Sequence, residues 1–470
     1  MPWKIWTRIK GQYLQRSNQY KRIIRIIRII EKILSQISQI SQIIIYMLIG
    51  IDASRANRKY KSGTEWYSYY LIRELARIDA KNQYLLYTDK PLLGGLADLI
   101  SADKEIRQTK IKVDKKGWQE IKSPHNNFRA KIIKCLLPLF WTQLRLSQEM
   151  LFSPPDVLFI PAHTLPFIHP RKSVVTIHDI GFMRKDRLYS HEQIGPIGPI
   201  PCWLTDKSVR LLTKGKYGAN VFDYHDWSTK FALRHAKKVI TISKFSQKEI
   251  LDIYQADKKK IEVVYHGYNS DLYKKIDNKA KIKQVLDKYG INSPYIFYVG
   301  RLEKKKNIPN LVEAYAIMRE KYKPIKHKLV LVGSASHGFD EVNYIIQEFR
   351  LNDEVIITGW LPEDDMPYIY NGAAALIFPS FYEGFGLPLL QAMACGTPIA
   401  AAKTAAIPEI VQDCALLFDP AETGDMADSL AKIITDNNLR SELIKRGYSR
   451  IASFSWRKCA RETLNVLEKL

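Results

Sequence analysis

Pro379-Ser-Phe-Tyr-Glu383-Gly-Phe-Gly386-Leu-Pro-Leu-Leu-Gln391-Ala-Met-Ala-Cys-Gly396 follows an apolar run, Ala373–Phe378, that reads as a buried strand. The stretch itself reads as strand tip, glycine turn and short helix. Gly384 and Gly386 let backbone approach a ligand closely. Pro388 suits the first turn of a helix over Leu387–Ala394, and Gly396 stands where its C-terminal cap belongs. Free N–H groups at such a helix start hold phosphate. Glu383, at the strand tip, can accept hydrogen bonds from sugar hydroxyls. Gln391 lies eight residues on, near where a ribose can dock. The competing reading is a tight strand–turn–helix with a solvated glutamate.

Outward from this stretch the same grammar repeats. Tyr298-Val-Gly300-Arg301-Leu-Glu-Lys304-Lys305-Lys306-Asn307 is again strand, loop and helix start. Two fixed cations on such a loop, Arg301 and Lys306, make a diphosphate clamp. A solvated basic loop is the bland alternative. Val332-Gly333-Ser334 is a third strand-to-glycine turn, weak on its own. Strands predicted at Tyr295–Val299, Lys328–Val332, Val355–Thr358, Ala373–Phe378 and Pro398–Ala402 alternate with helices at Ile308–Lys321, Asp340–Phe349 and Leu387–Ala394.

An earlier set of strands precedes them: Met47–Ala53, Gln83–Thr88, Val157–Ile160, Val174–Ile177, Val239–Ile242 and Ile261–Val264. Helices fall between, at Thr64–Ile78 with Thr64 as cap, and at Lys244–Tyr254. Strands interleaved with helices predict parallel sheets covered on both faces. The fold is thus α/β, with two doubly wound Rossmann-like domains facing across a cleft, joined near 275–292. The cleft is the natural ligand site.

The chain has 470 residues, 72 Lys+Arg against 48 Asp+Glu, and a net charge of +24. That length predicts two to three domains. The five cysteines are scattered with no C-x-x-C pair, which argues against a disulfide scaffold or zinc finger and for a reducing, cytoplasmic setting. No apolar run approaches the ~18 residues of a spanning helix. The positive surplus points to a membrane surface and phosphate-bearing substrates; no nucleic-acid motif is visible, so no nucleic-acid partner is expected.

Residues 1–46 carry +8 of that charge and two triplet repeats, Arg22-Ile-Ile-Arg25-Ile-Ile-Arg28 and Ser35-Gln-Ile-Ser38-Gln-Ile-Ser41. A period of three smears the arginines around a helix. Two readings stand: a translated upstream repeat with Met47 as the start, or a basic membrane-surface helix. Gly195-Pro-Ile-Gly198-Pro-Ile is a further repeat in a long loop.

Taken together, residues 47–470 resemble the retaining nucleotide-sugar glycosyltransferases of family 4, the group 1 glycosyltransferases of GT-B fold. The resemblance rests on Ile49-Gly-Ile-Asp52-Ala with Gly63, Thr176-Ile-His178-Asp179, Val239-Ile-Thr-Ile-Ser243-Lys-Phe-Ser246 and Val264-Tyr-His-Gly267. It continues through Val299-Gly-Arg301 with Lys306-Asn, Glu383-Gly-Phe-Gly-Leu-Pro, Pro408-Glu409-Ile and Phe454-Ser-Trp456. The chain looks most like bacterial enzymes that add mannose-type hexoses to envelope polysaccharide intermediates.

The resemblance implies an acceptor-side domain over 47–285, a donor-binding domain over 286–453, and a helix from 454–470 that crosses back. It implies that His178 and Glu383 flank the reacting centre. Gly63, Arg301, Lys306, Gly384, Phe385, Gly386, Leu387 and Gln391 would hold a donor such as GDP- or UDP-hexose. The acceptor would be a saccharide or a lipid-linked saccharide at the inner face of the plasma membrane. Lys131–Trp141, basic and apolar, reads equally as a membrane-facing segment or a core helix. No cofactor is implied. Arg301, Lys306 and the helix start would meet the leaving diphosphate's charge without a metal, and no Asp-x-Asp motif sits in a suitable loop.

Four departures stand out. The family's second glutamate is Gln391, which has one accepting oxygen where a carboxylate has two. The double glycine at Gly63 is single. Ala405-Ala406 replaces a glycine before Pro408-Glu409. The span Asp179–Ala236 is some twenty residues long for the family. These keep a second reading open, a catalytically impaired binding or scaffold protein. A dehydrogenase would need G-x-G-x-x-G after the first strand, and residues 52–65 lack it.

Overall fold

The computed structural model describes residues 46–101, 112–134, 141–184, 202–336 and 338–470. Leu48–Leu470 is described here as one unit. The triplet repeats and the Gly-Pro-Ile repeat lie outside the described residues.

The unit Leu48–Leu470 is built on two sheets. The first has eight strands: β1 (Leu48–Asp52), β2 (Gln83–Thr88), β3 (Trp118–Glu120), β4 (Phe128–Ile132), β5 (Val157–Ile160), β6 (Ser173–Ile177), β7 (Lys238–Thr241) and β8 (Ile261–Val263). Their order is β3-β4-β2-β1-β5-β6-β7-β8, and the β3–β4 pair is antiparallel among otherwise parallel neighbours. The second has six: β9 (Tyr295–Val299), β10 (Lys328–Val332), β11 (Val355–Gly359), β12 (Ala375–Phe378), β13 (Ile399–Ala402) and β14 (Leu416–Phe418). Its order is β11-β10-β9-β12-β13-β14, all parallel. β5, β12 and β13 are buried along their whole length, as expected of strands covered by helices on both faces. Strand order reverses between β1 and β5 and between β9 and β12, and each reversal opens a crevice at the carboxyl tips.

The structure corrects several local expectations. The first helix is Gly63–Ile78, and its cap is Ser62, not Thr64. The Ser62 N–H donates to the Glu65 carboxylate at 3.1 Å, and the Ser62 hydroxyl donates to it as well, so a capping box closes the helix start. Lys131 and Ile132 belong to strand β4, and Trp141 opens a helix that runs Trp141–Leu146 and continues as Ser147–Phe152. The β3–β4 pair escaped the sequence reading because three-residue β3 is too short to show alternation.

The linker carries a helix, Lys279–Lys288. The final helix is Trp456–Glu468 and packs against Gly63–Ile78 in the first domain. Its buried residues Trp456, Cys459, Ala460, Thr463 and Leu467 recur at helical spacing, which gives it one apolar stripe to bury. The outgoing linker and the returning chain touch. A side-chain Cβ on Gly267 would lie 2.0 Å from the Trp456 amide nitrogen. Cys395, Cys414 and Cys459 are buried free thiols. No helix among the described residues is long and apolar enough to cross a membrane.

Candidate active site

The tips of β9, β10 and β11 end in Gly300, Gly333 and Gly359, all with positive φ. The Gly300 N–H donates to the Val332 carbonyl and the Gly333 N–H to the Gly359 carbonyl, each at 2.9 Å. A Cβ on Gly333 would stand 1.8 Å from the Gly300 oxygen. Only glycine allows three strand ends to close into this floor. Arg301 rises from its edge with 65% of its side chain exposed, near Glu303 at 3.8 Å.

Beyond Arg301 the lysine run winds as a single 3₁₀ turn, Lys304–Lys306. Such a turn has three residues per revolution, so successive side chains point a third of a circle apart. Each finds a different acid. Lys304 pairs with Glu341 at 2.8 Å, Lys305 with Asp179 of the first domain at 3.7 Å, and Lys306 with Glu383 at 2.6 Å.

Glu383 lies on the loop after β12, which turns at Gly386 (φ +99°) into the helix Leu387–Cys395. Pro388 sits in its first turn and Gly396 caps its end at φ +71°. Arg301, Lys306, Glu383 and this helix start are therefore brought together at the β9/β12 switch point. Gly384 faces the first domain: a Cβ there would lie 2.4 Å from the His178 carbonyl oxygen. Phe385 is buried and packs on His266, ring centres 4.8 Å apart. Leu387 opens the helix. Gln391 turns toward Tyr370, whose hydroxyl donates to its side-chain oxygen at 2.8 Å.

Across the cleft, His178 and Asp179 follow β6. His178 is buried, with Nε2 at 3.0 Å from the Pro161 carbonyl. That contact makes Nε2 the protonated nitrogen of a neutral ring, and burial lowers the ring's pKa. Its ring meets Tyr67 edge-on at 4.9 Å, with His163 and His266 each at 5.6 Å. Burial and the neighbouring His178 bring His163 down to about 4. His225 also falls to about 4, by burial and by His163. Asp179 accepts from the Gly181 N–H at 3.1 Å. Burial pushes its pKa up, but Lys305 and His163 outweigh that and hold it well below the usual range.

Gly63 begins its helix with open space where a side chain would stand, so a ligand can come close to its backbone. Asp52, at the tip of β1, is buried and receives the Trp141 indole N–H at 3.2 Å. Burial raises its pKa.

Sequence reasoning left several residues here without a role. His163 has no motif signal that separates it from a core histidine, and His266 stood inside Val264-Tyr-His-Gly267 without a role of its own. Glu409 was part of a recognisable Pro-Glu pair but had no assigned partner. Its carboxylate spans the domains and accepts from the backbone N–H of Lys244 and Phe245, each at 2.8 Å, and from the Tyr265 hydroxyl at 2.7 Å. It thereby fills the N-terminus of the helix Lys244–Tyr254, a position that otherwise attracts an anionic ligand.

Residues 278–450 match the model of the family described as glycosyl transferases group 1. The O-antigen chain mannosyltransferase B of Escherichia coli is 29% identical over 320 residues, covering 67% of this chain and 81% of that protein. The serotype-specific mannosyltransferase WbdA of Escherichia coli is 25% identical over 314 residues, and the matched region is 34% of its length. Among solved structures, sucrose-phosphate synthase from Thermosynechococcus elongatus superposes with a TM-score of 0.62 at 20% identity, covering 90% of this chain and 98% of that one. Anabaena HepE, solved in complex with UDP and glucose, gives 0.60 at 17% identity, covering 90% and 100%. The structural likeness establishes the fold, and the sequence likeness assigns residues 278–450 to the family. Residues 278–450 form a group 1 glycosyltransferase domain, and the chain is a glycosyltransferase of GT-B fold.

Proposed function

We propose that this chain transfers a hexose, mannose in the first instance, from a nucleoside-diphosphate sugar to a saccharide or lipid-linked acceptor in envelope polysaccharide synthesis, with retention at the anomeric carbon. The observation that carries the reading is the pairing of Lys306 with Glu383 beside the start of the helix Leu387–Cys395. A cation, a carboxylate and a helix N-terminus converge where a diphosphate and its hexose can lie side by side. The names of the Escherichia coli relatives favour mannose; the HepE complex makes a UDP-glucose donor the alternative.

In this reading Arg301 and Lys306 bind the diphosphate, and the N–H groups at the helix start take up the negative charge that grows on it as the glycosidic bond breaks. Protein cations meet that charge, so the reading needs no divalent metal. Glu383 accepts from hexose hydroxyls, and His178, neutral and fixed by Pro161, lines the opposite wall. The first domain supplies the acceptor side. Approach of the two domains shields the donor from water.

A second reading, a binding protein with impaired catalysis, draws on one observation. The single accepting oxygen of Gln391 is already engaged by Tyr370, which leaves its amide N–H₂ to meet a ribose.

A panel of GDP-, UDP- and ADP-hexoses tests both. Saturation at ~100 times the dissociation constant stabilises a protein by ~2.7 kcal/mol, which a melting curve resolves. Stabilisation by one nucleotide, followed by sugar release or transfer from its conjugate, supports the enzyme. Stabilisation without turnover toward any acceptor supports the binding protein.

A further inference from the structure

We propose that a pocket beside the two interdomain passages is a second ligand site, and that it takes a short run of uncharged saccharide. The inference uses only that the chain makes glycosides. It is independent of the hexose, of the nucleotide and of the donor site.

The pocket is built from four pieces of chain. One face of the helix Gly63–Ile78 supplies Tyr70, Arg73, Glu74 and Arg77, at the spacing of three and four that shares a helix side. The outgoing passage supplies Tyr268, Asn269 and Asp271. The loop after β11 supplies Glu363 and Asp364, and the returning passage Trp456 and Arg457. The space is about 650 Å³, within the ~300–1,000 Å³ of small-ligand sites, which favour domain boundaries.

Much of the wall is fixed before any ligand arrives. Tyr70 stacks on Trp66 and on Trp456, with ring centres 5.3 and 5.5 Å apart. Asn269 Nδ2 donates to the Tyr70 hydroxyl, which donates to Glu363, each at 3.1 Å. That chain of bonds joins passage, first domain and second domain. Arg73 is buried and donates to the carbonyls of Gly95, Asp98 and Ser101. Arg77 pairs with Glu74. Asp271, Asp364 and Arg457 are exposed and in no ion pair among the described residues.

The composition of the wall selects the ligand. Three arginines and four carboxylates line it, so it has no positive surplus to hold a phosphate or a nucleotide, unlike the loop of Arg301 and Lys306. Charged side chains on all four pieces of chain set aside an acyl chain. What remains is hydrogen-bonding capacity of both senses, since carboxylates accept while guanidinium and amide groups donate. Sugar hydroxyls do both. The apolar face of a pyranose can lie on the ring of Tyr268, which is partly exposed. A saccharide seated there would touch both domains and both passages at once.

The test is calorimetric titration of the full chain with mannotriose and with maltotriose. No nucleotide is present, so the result does not hang on the donor assignment. At least one trisaccharide is expected to bind. The double variant Asp364→Ala, Arg457→Ala should weaken that binding at least about tenfold, the loss of two hydrogen-bonding groups, with its melting temperature retained. Arg457→Glu alone serves where the pair folds poorly, because an acid suits the first turn of the helix Trp456–Glu468. Glu383→Ala, in the cleft, should leave the trisaccharide affinity within about twofold of wild type. Affinity untouched by the pocket variants overturns the proposal, and its loss in Glu383→Ala would place the sugar in the cleft instead. Dissociation constants above about 10 mM for both trisaccharides overturn it as well.

Discussion

Lys306 and Glu383 stand 2.6 Å apart, Nζ to Oε1, with less than a fifth of either side chain exposed. The pair holds a cation and an anion ready at one point, each for a different part of a sugar nucleotide. Lys306→Ala and Arg301→Ala are each expected to weaken nucleoside-diphosphate binding at least about thirtyfold, since each removes a charge-assisted contact. Calorimetric titration measures it. Arg301 is exposed, so its variant should melt as wild type does. Wild-type affinity in both variants would sink the donor-site assignment.

Glu383→Gln should separate sugar from phosphate. It keeps the hydrogen-bonding shape and removes the charge, so nucleoside-diphosphate affinity should stay within a fewfold of wild type. Turnover should fall by about a hundredfold or more if the carboxylate's contacts strengthen in the transition state. Equal losses in affinity and turnover would mean that Glu383 serves only to hold Lys306.

Gly384→Ala puts a methyl group 2.4 Å from the His178 carbonyl and 2.9 Å from Asp179 Cβ. Neither neighbour can swing aside as a flexible side chain would, so the two walls must part. A turnover loss of about a hundredfold with only a modest fall in melting temperature is expected. Unchanged turnover would show that this approach plays no part in the reaction.

Glu409→Ala removes a carboxylate from a helix start and from Tyr265. Loss of comparable helix caps costs ~0.5–2 kcal/mol, and denaturant unfolding should show a loss of that size. Glu409→Gln should recover much of it by accepting the same N–H groups. Indistinguishable stability of all three proteins would count against the clamp.

Acid should unfold the protein in two stages. His163 and His225 have folded pKa values of about 4 against an ordinary 6.5, so the unfolded chain binds protons that the folded one refuses. Stability from this source is complete above 6.5 and is lost as pH falls from 6.5 toward 4, on the order of 2–3 kcal/mol per histidine. Asp179, with its pKa held low, adds a second loss below about pH 4, where the unfolded carboxyl protonates first. Chemical denaturation at a series of pH values reads both. Flat stability between 6.5 and 4 would refute the first stage.

Much of this was legible because the residues that decide it are local. Gly386, Pro388 and Gly396 specify a turn, a helix start and a helix end within eleven positions, and no distant contact is needed to read them. The lysine run was legible only as charge. Which lysine meets which acid depends on the 3₁₀ winding and on Asp179, over a hundred positions away. The cap at Ser62 was missed because Thr64 looks equivalent by type; the position of Glu65, three residues after Ser62, was the signal that distinguishes them. The role of Glu409 lay beyond reach, since its partners are the backbone amides of another domain and backbone carries no sequence signature.

The contact between Gly267 and Trp456 carries a mechanical consequence. The chain leaves the first domain between Val264 and Tyr273 and returns between Phe454 and Trp456, and the two passages press backbone against backbone. Two bodies tethered at widely separated points would be locked together, and two bodies tethered by one slack strand would drift. Here the tethers coincide at Gly267 and Trp456, so a movement of one half against the other would turn about that contact. The travel of any atom then grows with its distance from Gly267, and side chains at that position other than glycine would wedge the pivot open.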